Sequence, residues 1–187
     1  MKYLLLIATL TLAVVCFIAL AQAKDKNDDI FTQNFHTLIP SYIPSVHNYL
    51  RLDASIATGG KLSFPDAAKD LQTAGFKSVI DIRQKREGTE KEEKYITNAD
   101  MIYHNFPISG STAFIDANVK IFAKLISESE KPLLVHSASG NRVGALWAQH
   151  LIDEGMDIDE AISIGLRMGM RNDFSSKVRQ KYSEKSE

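Results

Sequence analysis

Seven consecutive residues, His136-Ser137-Ala138-Ser139-Gly140-Asn141-Arg142, bring an imidazole, two hydroxyls, a glycine and a guanidinium into one short stretch. Arginine can grip an oxyanion through two parallel charge-assisted hydrogen bonds. Gly140 permits a backbone conformation closed to other residues, so a turn there can aim successive backbone N–H groups at one point. The chemistry on offer is capture of negatively charged oxygens. Ser137 adds a hydroxyl that attacks only if a general base takes its proton.

Such a loop needs a strand to deliver it and a helix to close it. Pro132 followed by Leu133-Leu134-Val135 reads as a buried strand, because Pro fits a strand's first position and the run has no polar face. Helix-compatible residues resume at Arg142, so the small residues between end at a helix N-terminus, where free amides and the dipole favour an anion. The dipole is worth up to about 2 kcal/mol, and each charge-assisted bond from Arg142 about 1.5 to 3 kcal/mol.

With its flanks, this stretch resembles the active-site loop of the cysteine-based phosphatases, the protein tyrosine and dual-specificity phosphatases. It is most similar to a bacterial phosphatase-like branch with a His-Cys-x-Ser-Gly-x-Arg loop. The resemblance runs from about His47 to Asn172. It implies an α/β fold, a central mainly parallel sheet flanked by helices. It also implies catalytic positions at Ser137 and Arg142, a phosphate cradle of Ala138, Ser139, Gly140, Asn141 and Arg142, and structural support of the loop by His136. No cofactor and no metal are implied. In the family the residue matching Ser137 is the cysteine nucleophile; here it is serine.

That one atom separates binding from turnover. A cysteine at a helix N-terminus beside an arginine can have its pKa lowered to roughly 3.5 to 7.5, and is then a thiolate at neutral pH. A serine hydroxyl stays protonated, and side chains alternate along a strand, so the His136 ring is expected to point away from the Ser137 oxygen. By analogy with other hydrolases, loss of the nucleophile costs on the order of 10⁶-fold. The family's general acid lies in the loop after the preceding strand, and here that loop reads Pro107-Ile108-Ser109-Gly110-Ser111, without a carboxylate. Asp116 is the nearest candidate, but the first turn of a helix explains an aspartate through the dipole alone. Four residues separate Ser137 from Arg142, one fewer than in the common tyrosine-phosphatase loop, and Val143 stands where many phosphatases carry Ser or Thr. The shorter spacing also resembles rhodaneses, whose sulfur transfer needs the missing cysteine.

The 187 residues, 44% apolar and 24% charged, suffice for one domain with a sizeable core. A net charge of -1 gives no pull toward nucleic acid or an anionic membrane, so any anion site must be local. Lys2, an apolar run to Leu20 and Ala21-Gln22-Ala23 have the form of a secretory signal, with cleavage expected after Ala23. An uncleaved membrane anchor is the alternative. The single cysteine, Cys16, lies inside this segment, so a cleaved protein would hold no thiol. The expected organisation is a signal peptide over 1–23, an N-terminal arm over 24–45 and a phosphatase-like domain over 46–187. The expected location is periplasmic or secreted, without stable membrane association after cleavage.

Along the domain, residues 46–52 and 55–60 read as two short strands, the second stopped by Gly59-Gly60. Ser63 offers an N-cap and Pro65 an early helical position for a helix ending at Gly75. Residues 76–82 and 101–106 read as strands. Arg83, at the C-terminal end of the first, either adds positive potential to the anion site or is an ordinary surface arginine. Residues 84–94 alternate in charge and read as a solvated loop and helix face. A long helix is expected to begin at residues 109–112, Trp147 to lie in the core, Asp157-x-x-Glu160 to form a capping box, and residues 173–187 to form a terminal helix.

Three functions remain open at this level. The first is an oxyanion-binding protein with lost or strongly reduced hydrolysis. The second is a phosphoric-ester hydrolase using Ser137, and the third is an interaction domain with a vestigial loop. The first two predict a phosphorylated or other oxyanion ligand.

Overall fold

The computed structural model describes residues 39–184; the expected signal peptide and most of the N-terminal arm lie outside them. Five short strands form one sheet in the order β1-β2-β5-β3-β4. They are β1 (Leu50–Arg51), β2 (Ile56–Gly59), β3 (Ser78–Asp81), β4 (Ile102–Asn105) and β5 (Leu133–His136). β1 is antiparallel to β2, and all other pairings are parallel. The expected α/β architecture is present. β5 is central and buried throughout, as an unbroken apolar strand in a parallel sheet must be.

Alternation along the strands sorts the core into two layers. Ile80, Leu133 and Val135 face one apolar cluster, and Ala57, Val79 and Leu134 the other. The second layer is closed by α1 (Asp66–Thr73) and α2 (Thr89–Thr97), together with Ile39 and Ile43, which are buried and open the packed unit. The first is closed by α3 (Asp116–Glu128), α4 (Asn141–Asp153), α5 (Ile158–Arg167) and α6 (Asn172–Glu184). Trp147 lies in that layer as expected, edge-on to Phe122 at 5.9 Å. Asp157 caps α5 by accepting from the N–H groups of Asp159 and Glu160. No helix among the described residues is long and apolar enough to cross a membrane.

Several local expectations are corrected. The stretch 46–52 forms only a two-residue strand, with Val46 in an isolated bridge to Leu62. Ser63 does not cap α1, whose first residue follows Pro65 with no side-chain cap. The helix expected from residues 109–112 starts at Asp116 instead. The Ser109 and Thr112 side chains exchange hydrogen bonds with each other's backbone N–H, at 2.9 and 3.1 Å. Such local bonds compete with the helix, leaving a 3₁₀ turn (Thr112–Phe114).

Helix α4 can carry its loop deep into the molecule because it packs backbone to backbone on α5. A Cβ on Gly144 would lie 2.4 Å from the Gly165 carbonyl oxygen, so any larger residue there would force the helices apart.

Candidate oxyanion-binding site

The loop between β5 and α4 is held from behind by its carbonyls. Ala138 O accepts from the Lys61 N–H at 3.1 Å, and Ser139 O accepts from Asn48 Nδ2 at 3.1 Å. Ser137 N–H donates to Gly59 O at 3.2 Å, which ties the loop to the end of β2. Gly140 takes a left-handed turn at φ 85°, and a Cβ there would lie 2.0 Å from the Met168 carbonyl oxygen. Both the dihedral and the space exclude a side chain.

The Ala138 and Ser139 carbonyls are therefore already engaged by Lys61 and Asn48. The Gly140 N–H donates to Ser137 Oγ at 3.0 Å. The N–H groups of Ala138, Ser139, Asn141, Arg142 and Val143 meet no acceptor among the described residues. Free amides at a helix N-terminus are groups from which an anion nest can be built. The loop thus brings together the predicted cradle of Ala138, Ser139, Gly140, Asn141 and Arg142, with Ser137 almost fully buried at its base.

Arg142 is aimed by a carboxylate absent from the predicted site. Its Nη1 and Nη2 donate to Glu87 Oε2 and Oε1 at 2.8 and 2.6 Å, and Nη1 also donates to Ile108 O at 2.9 Å. Three of the five guanidinium N–H donors are thereby used. The Nε edge with the second Nη2 proton remains for a ligand. Glu87 also accepts the Gln84 N–H at 2.8 Å. The Arg142 hydrogen bond is the main cause holding its carboxyl below the usual range. The charged run 84–94 is therefore not simply a solvated face, because Glu87 turns to the site and Glu92 into the core. The signal that could have found them was position, since the run follows β3 at the C-terminal edge of the sheet, where ligands bind.

Arg83 is not the ordinary surface arginine that is one reading of its position. It is buried, with Nε and Nη2 donating to Asp81 at 3.0 and 2.7 Å, and Nη2 also meets Glu92. Its charge is thus taken up beneath the loop. His136 completes this cluster on the same face of the sheet. Its Nδ1 lies 3.2 Å from Gly60 O, and its Nε2 lies 2.7 Å from Glu92 Oε1 and 3.7 Å from Asp81 Oδ1. Both nitrogens face only acceptors, which calls for the doubly protonated ring. Burial opposes that charge, but the Glu92 and Asp81 carboxylates overcome it and raise the His136 pKa. For Asp81, burial opposes ionisation, while His136, Arg83 and the Tyr103 hydroxyl at 2.7 Å lower its pKa. Asp81, Glu92 and His136 could offer ligand atoms within 4.8 Å of one another, but the Arg83 guanidinium already holds both carboxylates.

The cluster makes stability depend on pH. The raised His136 pKa contributes stability that is complete below its ordinary value of 6.5 and is lost as pH rises through the folded value. The lowered Asp81 pKa contributes stability present above its ordinary 3.8 and lost as pH falls through the folded value. Denaturant midpoints are expected to be highest between these two pH values and to fall above 6.5. Arg83→Met should cost about 3 to 5 kcal/mol, because it leaves two buried carboxylates under-compensated. A midpoint unchanged from pH 6 to 9, or an undisturbed Arg83→Met, would contradict this account.

Ser137 meets no base among the described residues, since the His136 ring is engaged with Glu92 and Gly60, as alternation predicted. Nor does the loop after β4 supply an acid. It is fixed by Gln149, whose Nε2 donates to Ala113 O at 2.8 Å, and by Asn118, whose Nδ2 donates to Thr112 O at 2.8 Å. Asp116 opens α3, lies 2.6 Å from Lys181 Nζ and lines a different cavity, with His150 and Asp153.

Solved structures share this fold. The chain is 22% identical to the Neisseria meningitidis protein nma1982, with a TM-score of 0.63 over 75% of this chain and 99% of that one. It is 22% identical to a cysteine-to-serine form of TpbA from Pseudomonas aeruginosa, solved in complex with phosphotyrosine, with a TM-score of 0.59 over 76% of this chain and 89% of that one. Among curated proteins, the Beta-lactamase hydrolase-like protein of Xylella fastidiosa is 31% identical over 97 residues, which are 49% of this chain and 22% of that protein. The match thus spans less than a quarter of that relative's length. Residues 35–185 match the model of the family described as DSP-PTPase phosphatase fused to NAD+ kinase. The chain therefore belongs to that family, within the cysteine-based dual-specificity and tyrosine phosphatase-like superfamily.

Proposed function

We propose that this chain is an exported protein that binds a phosphate-like oxyanion in its 137–142 loop and has lost, or nearly lost, the ability to hydrolyse it. The observation that carries the reading is the set of loop amides without an acceptor among the described residues, beside Arg142 and a Ser137 that meets no base there. A set of free amides beside a guanidinium gains most from a ligand rich in oxygen and negative charge. The hydrolase using Ser137 is weaker because no group stands ready to take the hydroxyl proton. A vestigial loop is weaker because its carbonyls remain tied back and its arginine remains aimed.

The test is calorimetric titration of the wild-type chain with tungstate or phosphate, alongside hydrogen exchange at the loop amides. Saturable binding that slows exchange at residues 138–143, without turnover of an aryl phosphate between pH 4 and 9, is expected. Absence of binding and protection would reject the reading, and turnover that vanishes in Ser137→Ala would favour the hydrolase. Export rests on the leader-like first 23 residues, and fractionation of the producing cell tests it.

A further inference from the structure

The loop opens into a pocket of about 430 Å³, within the range of small-molecule sites, roughly 300 to 1,000 Å³. That is far more room than one phosphoryl group fills. Its lining includes three arginines, Arg86, Arg142 and Arg171, against one carboxylate, Glu87. Glu87 is already committed to Arg142 and the Gln84 N–H. The chain as a whole carries a net charge of -1, so this is a local excess of positive charge.

The two further arginines reach the same pocket from different elements. Arg86 is exposed on the 3₁₀ turn (Lys85–Glu87) that also presents Glu87, and it makes no ion pair among the described residues. Arg171 immediately precedes α6, and its backbone N–H donates to Asn141 Oδ1 at 2.8 Å, tying it to the loop. Its side chain meets Asp173 at 3.3 Å, with both groups well exposed. Such a surface pair is weak and easily exchanged for a more highly charged partner. The aromatic wall offers little in competition, since Phe174 is 6% exposed and packs edge-on to Phe114. The pocket therefore lacks an open ring clamp.

We infer that the pocket takes a small molecule carrying two phosphoryl groups, the first in the amide nest with Arg142 and the second between Arg86 and Arg171. This rests on the oxyanion reading above, which supplies the first of the two positions. The second phosphoryl group would be recognised by exposed guanidinium groups. It should therefore confer affinity that is sensitive to salt and shared between two side chains.

The test compares inorganic phosphate with pyrophosphate by calorimetry on the full chain, then repeats both titrations on Arg86→Gln and Arg171→Gln. Pyrophosphate is expected to bind at least about tenfold more tightly than phosphate. Each variant should lose most of that advantage while its phosphate affinity changes by less than about twofold. Retained phosphate binding also shows that the variants fold. Equal binding of the two anions by wild type, or a pyrophosphate advantage that survives both substitutions, overturns the inference while leaving the cradle intact. Binding of neither anion overturns the cradle and the inference together. A phosphotyrosine peptide with acidic neighbours that outcompetes pyrophosphate also overturns it, assigning the arginines to a protein partner.

Discussion

Ser137→Cys is expected to raise the hydrolysis of aryl phosphates at least about 10³-fold above the wild-type chain. Loss of a nucleophile costs on the order of 10⁶-fold, so restoring it leaves a wide margin. The site is prepared for sulfur. The position lies beneath the α4 N-terminus, receives the Gly140 N–H and sits in the same short loop as Arg142, all of which favour a thiolate. What the substitution does not restore is an acid, since the pocket's one carboxylate is held by Arg142. General acid catalysis is worth about 10² to 10⁴-fold, so rates should stay that far below a complete site for alkyl phosphates, whose leaving groups need a proton. Steady-state assays with an aryl and an alkyl phosphate across pH test both halves. A variant that binds phosphate but never turns over an aryl ester would show that the loop no longer holds attacking geometry.

Arg142→Ala should weaken phosphate or tungstate binding by about 10² to 10⁴-fold. The Nε edge can make two charge-assisted bonds of about 1.5 to 3 kcal/mol each, and every 1.4 kcal/mol is about a factor of ten in affinity. The substitution also leaves Glu87 facing the cradle without its cation, so an anion would meet a bare carboxylate. Glu87→Gln separates these effects. It keeps the arginine but loosens its aim, and a smaller loss of about tenfold is expected. Calorimetry on the two variants decides the matter. Equal binding by wild type and Arg142→Ala would mean that the anion, if bound, sits elsewhere.

The pattern around the loop shows which parts of this protein are local in origin. The apolar run after Pro132, the small residues up to Gly140 and the helical pattern from Arg142 specify strand, nest and helix through φ/ψ limits and hydrophobic period alone. Those constraints act between neighbours in the chain. The same holds for the core faces of β3 and β5 and for the Asp157 cap.

The partners of the loop obey no such rule. Glu87 reaches Arg142 across 55 positions and Glu92 reaches His136 across 44, from a run whose alternating charges look like solvent-facing padding. Arg83 proved buried because two carboxylates converge on it, and Asn48 holds Ser139 O from 91 positions away. Residue type and spacing determined that a phosphatase-like loop would form and that it would lack its sulfur. Which acids neutralise its cations, and which arginines remain available at its mouth, was decided only by tertiary packing. Pairing between charges depends on distance through space, and chain order carries no record of that distance until the sheet brings its C-terminal edges together.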